Sequence, residues 1–330
     1  MWRVAGQDRL LSLLNYSLKT DAMAHAYLLI GPRHVGKGTL ALDLAQALNC
    51  DGREPPCGQC RSCQRILEGK HADVTAIGLD SRTEISIDDI RGLQRLANLP
   101  PYEGKCKVFI IDDAEYLSTE AANSLLKILE EPPPSLVWVL LAADEEHLLP
   151  TIISRCQRLE LRPVPPERVQ EILVNSYGIA SDKAKLLTQL CHGRPGWALS
   201  ALKNDDMLEQ RSQTVSKLVS LLTAGLEQRF AYAQELAGQF SQKRRTGGET
   251  IETWLDWWRD LMLVKGGCRE AIINVDHEKT LEDHARDLSL GEIQRFLANL
   301  RLLQEDIAKN VNPRLALEWL LLNLPRRTWP

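Results

Sequence analysis

The sequence predicts an α/β domain with a parallel sheet and flanking helices, followed by a long all-helical region. In the first half, short apolar runs alternate with helical patterns, which is typical of a parallel sheet. After the proline-rich segment 163–166, strand-like runs give way to one amphipathic helix pattern after another. A chain of 330 residues is too long for one average core, so we expect two or three domains.

The individual elements of the first half follow from the same patterns. The predicted buried strands are Ala26–Ile30, Lys107–Ile111 and 137–141. A helix over 36–48 places Leu40, Leu44 and Leu48 on one face, and a helix over 119–131 is stopped by three consecutive prolines.

Breaks in the pattern predict three domains. Residues 1–163 form the α/β core, with an insert at 50–63. Residues 164–205 form a small helical domain, and residues 206–330 form a helical C-terminal domain. Within the last domain, loops are predicted at 247–248 and 266–267. Three tryptophans there share one helix face, which favours a core or a subunit interface; they are Trp254, Trp257 and Trp258.

Charge and hydropathy narrow the classes of function. The net charge of −4 and pI near 6.0 argue against nucleic-acid binding by bulk electrostatics. Any DNA role would therefore use a local patch or membership of an assembly. The longest apolar stretch, 137–143, is far too short to cross a bilayer, and the N-terminus has no apolar signal-peptide core. We expect a cytoplasmic protein without a membrane partner.

A phosphate-binding loop is predicted at the end of the first strand. The segment 31–37 (GPRHVGK) follows a strand and opens a helix, which is the context that this motif requires. Gly31 and Gly36 let backbone N–H groups approach a phosphate, and Lys37 can reach the terminal phosphates. The alternative interpretation is a structural strand–helix turn with an incidental lysine.

The position after the lysine departs from this motif. The motif has Ser or Thr there to ligate Mg²⁺, whereas this chain has Gly38. Thr39 comes one residue late, and one residue on a helix rotates the side chain by about 100°. We therefore expect Thr39 to point away from the metal, and binding of ATP with Mg²⁺ to be weak or absent.

A second nucleotide-site motif is also altered. The segment 108–113 (VFIIDD) has the Walker B form, an apolar strand that ends in acids. Asp112 would contact the metal-bound water. Asp113 stands where a motor ATPase carries the glutamate that activates the attacking water, and such a shortening can cost about 10²-fold in rate. Both departures predict weak or absent hydrolysis.

Four cysteines with the spacing C-x6-C-x2-C-x2-C predict a metal site. They are Cys50, Cys57, Cys60 and Cys63. Four thiolates suit a closed tetrahedral structural zinc site with no position left open for catalysis. An iron–sulfur cluster and free surface thiols are the alternatives. His71 lies nearby in sequence, but four cysteines already fill such a site.

Several segments together resemble the AAA+ subunits of bacterial clamp loaders. They are 25–32 (HAYLLIGP), the four-cysteine insert, 87–91 (IDDIR), 121–133 (AANSLLKILEEPP), 151–156 (TIISRC) and 193–196 (GRPG). The clearest is the SRC motif at 154–156, and Gly193–Gly196 is similar to the sensor-2 turn of the lid domain. Beyond residue 200 the resemblance rests on helicity and on 257–261 (WWRDL).

The resemblance implies an AAA+ core, a helical lid and a helical collar that joins a ring of five subunits. In this family the ring opens the sliding clamp and loads it onto primed DNA. The implied partners are gamma/tau motor subunits, a delta subunit, the clamp and primed DNA. The complex as a whole is part of DNA polymerase III, a DNA-directed DNA polymerase.

Gly38 is typical of the delta-prime branch of that family, because motor subunits keep Thr after the lysine. The resemblance then implies that Arg155 reaches into a neighbouring motor subunit's ATP site as an arginine finger. Arg194 would be the lid arginine that faces this chain's own site. The alternative for Arg155 is a surface ion pair.

Two other functions stay open at this point. The chain could be an active gamma/tau-like motor in which Asp112, Asp113 and Thr39 suffice for turnover. It could instead be a zinc-containing AAA+ protein of DNA repair or regulation that has no clamp partner.

Overall fold

A computed structural model describes residues 2–79, 82–204, 206–242, 244–308 and 311–325. The chain divides into two compact units. The first contains Met1–Asp80, Glu84–Ile179 and Gly193–Trp197, and the second contains Ser81–Thr83, Ala180–His192 and Ala198–Pro330. The residues predicted as a separate lid thus belong partly to each unit, and the division into three domains stays a prediction.

The first unit is built on a parallel five-stranded sheet. Its strands are β1 (Ala26–Ile30), β2 (Val74–Ile77), β3 (Lys107–Ile111), β4 (Leu136–Ala142) and β5 (Gln157–Glu160), in the order β2-β3-β4-β1-β5. β4 lies between β1, which leads into the phosphate loop, and β3, which carries the acids. The carboxyl ends of parallel strands meet at one edge, so the sheet itself brings both motifs together.

Helices cover both faces of this sheet. They are α1 (Asp8–Lys19), α2 (Lys37–Asn49), α3 (Arg61–Leu67), α4 (Ile87–Ala97), α5 (Thr119–Glu130), α6 (Pro150–Ile153) and α7 (Pro166–Glu171). β1 is buried on both sides because alternate residues enter different cores. Leu28 packs in the core that includes Leu125 of α5, whereas Leu29 packs in the core that includes Leu44 of α2.

The remaining elements are helical. α8 (Ser181–Leu190), α10 (Asp206–Thr223), α11 (Leu226–Gln242), α12 (Arg244–Lys265), α13 (Glu278–Asp287), α14 (Leu290–Ala308) and α15 (Pro313–Leu322) lie in the second unit, and α9 (Pro195–Lys203) is divided between the two. None of the helices in the described part of the chain combines the length and apolar content needed to cross a bilayer.

The tryptophan face of α12 forms the core of the second unit. Trp254, Trp257 and Trp258 are completely buried, and the Trp258 ring lies 4.4 Å from that of Phe296 of α14. This core also contains a buried arginine. The Arg229 guanidinium donates to the carbonyls of residues 221, 222, 321 and 324. The first three of these carbonyls lie in the last turns of α10 and α15, where carbonyls have no partner within their helix, and the fourth lies just beyond α15.

The observed elements correct one of the two predicted loops, confirm the other and add two strands to the sheet. The loop predicted at 247–248 is wrong, because both glycines lie inside α12. A Cβ on Gly247 would come within 2.6 Å of the Phe240 ring, so the glycine permits close helix packing rather than a turn. The loop at 266–267 is confirmed, since α12 ends at Lys265. The patterns also missed β2 and β5.

Candidate nucleotide site, cysteine cluster and surface arginine

The phosphate loop connects β1 to α2, and its backbone has room for glycine alone at two positions. A Cβ on Gly31 would lie 2.3 Å from the Leu161 carbonyl oxygen. Gly36 has φ +114°, where side chains are rarely tolerated, and a Cβ there would meet Val4 at 2.9 Å. Both glycines therefore allow this strand–helix turn to pack closely against neighbouring residues of the same chain.

Lys37 is bonded within its own loop. Its Nζ donates to the carbonyl oxygens of Gly31 at 2.5 Å and Pro32 at 3.2 Å. Burial lowers the pKa of this lysine, and the nearby carboxylates of Glu115 and Asp112 oppose that shift. A phosphate group would have to take Lys37 away from these two carbonyls.

An ion pair joins the phosphate loop to the acids after β3. Arg33 Nη2 lies 3.0 Å from Asp113 Oδ1, and both side chains are largely shielded from solvent. Asp113 has the left-handed backbone conformation, with φ 56° and ψ 44°. The residue at the position of the activating glutamate is thus engaged by a cation of the same site. Asp112, one residue earlier, is exposed.

Glu115 is a third acid at this site. One of its carboxylate oxygens accepts from the Ala143 N–H at 3.2 Å, and the other, Oε2, is buried without a hydrogen-bond partner in the described residues. Burial raises its pKa from 4.5 to about 7, and the negative charge of Asp113 acts in the same direction. Lys37 partly offsets the rise. Glu115 can therefore exchange a proton near neutral pH.

The predicted lid turn lies against the phosphate loop. The Gly196 N–H donates to the His34 carbonyl at 2.9 Å, and a Cβ on Gly196 would come within 2.7 Å of the same oxygen. Arg194 belongs to this turn, because its carbonyl accepts from the Trp197 N–H at 2.9 Å. The fold thus brings the backbone of this turn to the loop, while the role of the Arg194 side chain stays a prediction.

Gly38 and Thr39 are the two residues that follow the loop lysine. Both lie in the first turn of α2, and a Cβ added to Gly38 would meet no atom within 4 Å. The missing hydroxyl after the lysine is therefore not imposed by packing. The direction in which Thr39 points relative to a metal stays a prediction.

The four predicted cysteines come together in space. The sulfur atoms of Cys50, Cys57, Cys60 and Cys63 all lie within 4.8 Å of one another, and two of the pairs are 4.0 Å apart. A tetrahedral zinc site with Zn–S bonds of about 2.3 Å has sulfur–sulfur edges of about 3.8 Å. The cluster therefore fits a single tetrahedrally coordinated ion, and it could bind a metal.

Backbone N–H groups point at these sulfur atoms. Cys50 Sγ accepts from the N–H groups of Gly52 and Cys57, at 3.3 and 3.4 Å. Donation from the N–H groups of Cys60 and Gln59 lowers the pKa of Cys57 to about 6. Burial raises the pKa of Cys63. Donors of this kind stabilise thiolate, the form that ligates metals.

The cysteine cluster is also anchored to the core. The Gln46 side chain, from the last turns of α2, donates to the Cys63 carbonyl at 2.6 Å, and both residues are buried. The cluster thus extends the phosphate-loop helix rather than forming a separate appendage.

Arg155 lies at the surface between α6 and β5. Its Nη2 is 2.6 Å from Glu130 Oε1 at the end of α5, and a third of the arginine side chain is exposed. Its Nη1 donates to the Thr151 carbonyl at 3.0 Å. The ion pair that the sequence left open as an alternative is present, and the Arg155 side chain stays partly exposed.

The sequence analysis did not identify three residues that contact the predicted site residues. Arg33 lies inside the phosphate motif, where the pattern assigns no side-chain role. Glu115 follows the Walker B acids by two residues, so a search for acids just beyond 108–113 could have found it. Glu130 lies in a segment that the resemblance singled out, but nothing in the sequence pairs it with Arg155.

Comparisons with known proteins agree with this architecture. A family model described as "DNA polymerase III, delta subunit" matches residues 6–165, and one described as "DNA polymerase III, delta subunit, C terminal" matches residues 205–326. DNA polymerase III subunit delta' of Bacillus subtilis (strain 168) is 30% identical over 319 residues, which cover 96% of each chain.

Two further matches have tau or gamma in their descriptions. DNA polymerase III subunit tau of the same organism is 27% identical over 337 residues, which span 96% of this chain and 59% of tau. Among solved structures, a DNA polymerase III gamma subunit-related protein from Thermotoga maritima has a TM-score of 0.48 and 22% identity, covering 96% of this chain and 99% of that one.

The sheet order, with β4 between the phosphate-loop strand and the strand of the acids, and the helical region after it define an AAA+ P-loop protein. Within that class, the match to DNA polymerase III subunit delta' of Bacillus subtilis covers 96% of both chains. The chain belongs to the delta-prime family of DNA polymerase III subunits, the clamp-loader branch that is related to gamma/tau.

Proposed function

We propose that this chain is a non-hydrolysing clamp-loader subunit whose Arg155 completes the ATP site of a neighbouring gamma/tau motor subunit. The observation that carries the proposal is a contrast within one chain. In the chain's own phosphate loop, Lys37 is bonded to loop carbonyls and Arg33 is paired with Asp113. Arg155, by contrast, keeps a third of its side chain exposed at the surface.

The chain's own site supports this proposal in three ways. Gly38 provides no hydroxyl for Mg²⁺, Lys37 is bonded to loop carbonyls, and Asp113 is paired with Arg33. Nucleotide binding would require breaking contacts that are already satisfied, and the metal would still lack one protein ligand. Turnover in an assembly would then depend on the sites of other subunits.

A surface guanidinium is suited to act on a neighbour. A guanidinium at a γ-phosphate stabilises the charge that develops during phosphoryl transfer, and this is worth about 10³–10⁵ in rate in other systems. A finger must be accessible from outside its own fold, and Arg155 meets this condition. The Arg194 turn, by contrast, lies at the chain's own phosphate loop.

The zinc assignment belongs to the same proposal. We assign Zn²⁺ to the four-cysteine cluster as a structural ion, because four sulfur ligands leave no open coordination position. Its contribution would be to fix residues 50–63 at the end of α2. The proposed setting is the cytoplasm, with gamma/tau, delta, the sliding clamp and primed DNA as partners.

The test is ATP hydrolysis by the reconstituted loader in the presence of clamp and primed DNA. Arg155→Ala is expected to lower turnover by about 10²-fold or more with assembly intact. Arg158→Ala is the matched control, since that exposed arginine also forms an ion pair, with Glu145 at 2.7 Å. Unchanged turnover for Arg155→Ala in an assembled complex would refute the proposal.

A further inference from the structure

Glu130 holds the guanidinium of Arg155 at a defined place. The 2.6 Å contact with Glu130 Oε1 engages Nη2, while Nη1 donates to the Thr151 carbonyl at 3.0 Å and lies 3.4 Å from Ser154 Oγ. Both terminal nitrogens therefore have hydrogen-bond partners within this chain. A short, charge-assisted bond of this kind restricts orientation as well as position.

The backbone under Glu130 is well fixed. Glu130 is the last residue of α5, a helix whose first turn is capped by the Ser118 side chain, which accepts from the Ala121 N–H. Leu125 and Leu129 bury the opposite face of the helix. Because Leu129, the preceding residue, is buried, the backbone from which the Glu130 side chain extends is held in place by packing.

Stability does not account for a glutamate at this position. The C-terminal end of a helix carries partial negative charge, so an acidic residue there is unfavourable. Glu130 is about half exposed, and exposed ion pairs contribute little to stability. The pairing with Arg155 therefore has a small structural value and a large effect on where the guanidinium lies.

We propose that Glu130 is a positioning residue that orients Arg155 for a phosphate bound by the neighbouring subunit. The inference rests on the proposed arginine-finger function. A long arginine side chain loses conformational freedom when it engages a phosphate, and prior ordering by Glu130 removes part of that cost. The effect is expected in the chemical step, because the finger acts on charge that develops in the transition state.

The experiment compares four variants in the reconstituted loader with clamp and primed DNA. Glu130→Ala is expected to lower kcat about 3- to 10-fold with little change in KM, as loss of one ordered side chain would. Glu130→Gln keeps an oxygen that accepts from Nη2 and is expected to stay within about twofold of wild type. Glu131→Ala, at the exposed next residue, is the control, and Arg155→Ala is the reference for complete loss.

The outcomes separate this inference from the function on which it rests. Wild-type turnover in Glu130→Ala alongside a low rate in Arg155→Ala would overturn the positioning role and leave the finger in place. Full turnover in Arg155→Ala would overturn both. An equal loss in Glu130→Gln and Glu130→Ala, or the same loss in Glu131→Ala, would mean that charge rather than orientation matters, and would also refute the role. Complex assembly and thermal unfolding are measured for every variant.

Discussion

Removal of one cysteine ligand tests the proposed zinc site against an internal control. Cys63→Ala and Cys106→Ala each remove one buried sulfur, since both residues are buried in the first unit. Only Cys63 belongs to the four-sulfur cluster. Loss of a single buried heavy atom costs about 0.5–1.5 kcal/mol, and this is all that Cys106→Ala should show.

The additional cost of Cys63→Ala follows from the metal. The sulfur separations of 4.0 Å are close to those of a filled tetrahedral site, so wild-type chain should bind zinc with little rearrangement. A ligand present at about 1,000 times its dissociation constant stabilises the folded state by about 4 kcal/mol. We therefore expect Cys63→Ala to lose about 4 kcal/mol more than Cys106→Ala, provided that free zinc is present at that level.

Metal content and urea unfolding are measured on the same samples, with and without a chelator. Wild type and Cys106→Ala should each carry one zinc per chain and lose stability when the chelator is added. Cys63→Ala should carry less metal and should not respond to the chelator. A wild-type chain that contains no zinc and is insensitive to the chelator would refute the metal assignment, and bound iron would favour the cluster alternative.

Two predictions concern the chain's own nucleotide site. Gly38→Thr should fit, because a Cβ there meets no atom within 4 Å. The restored hydroxyl should raise Mg²⁺-dependent ATP affinity about tenfold, which is the effect of one bond to a charged group. Titration with fluorescent nucleotide, with Gly38→Ala as control, checks this, and equal affinities would contradict it. Glu115, whose pKa burial raises to about 7, binds its proton more tightly in the folded chain, so its contribution to stability is greatest below pH 4.5 and is lost as pH rises to 7. At pH 8, Glu115→Gln should therefore have a free energy of unfolding, measured with urea, that exceeds that of wild type by at most about 3 kcal/mol. Near pH 4.5 the two free energies should be equal. A difference that stays constant across pH would exclude protonation of Glu115 as the cause.

Elements with a local signal were predictable from the sequence. β1, β3 and β4 are continuous apolar runs because both faces of the sheet are covered, and that pattern needs no knowledge of the rest of the chain. The cysteine cluster was equally accessible, since all four ligands lie within 14 residues of sequence. The phosphate loop combined a motif with its flanking strand and helix.

Elements that depend on distant partners were not predictable in this way. β5 (QRLE) is a polar edge strand that pairs only with β1, and β2 is a short edge strand that is not fully buried. Gly247 indicates a loop in the sequence pattern, and only the structure shows that the glycine is needed for contact with the Phe240 ring. The Arg33–Asp113 and Arg155–Glu130 pairs join residues 80 and 25 positions apart, and the fold alone brings them together.

The central claim is that this chain contributes to a neighbour's site and not to turnover at its own. The most direct test measures ATP hydrolysis by the reconstituted loader. Lys37→Ala and Arg155→Ala are compared in parallel, each introduced only in this chain, with the same amount of assembled complex. The account predicts nearly unchanged turnover for Lys37→Ala and a loss of about 10²-fold or more for Arg155→Ala. A large loss in Lys37→Ala, with Arg155→Ala close to wild type, would contradict the account and identify the chain as a motor.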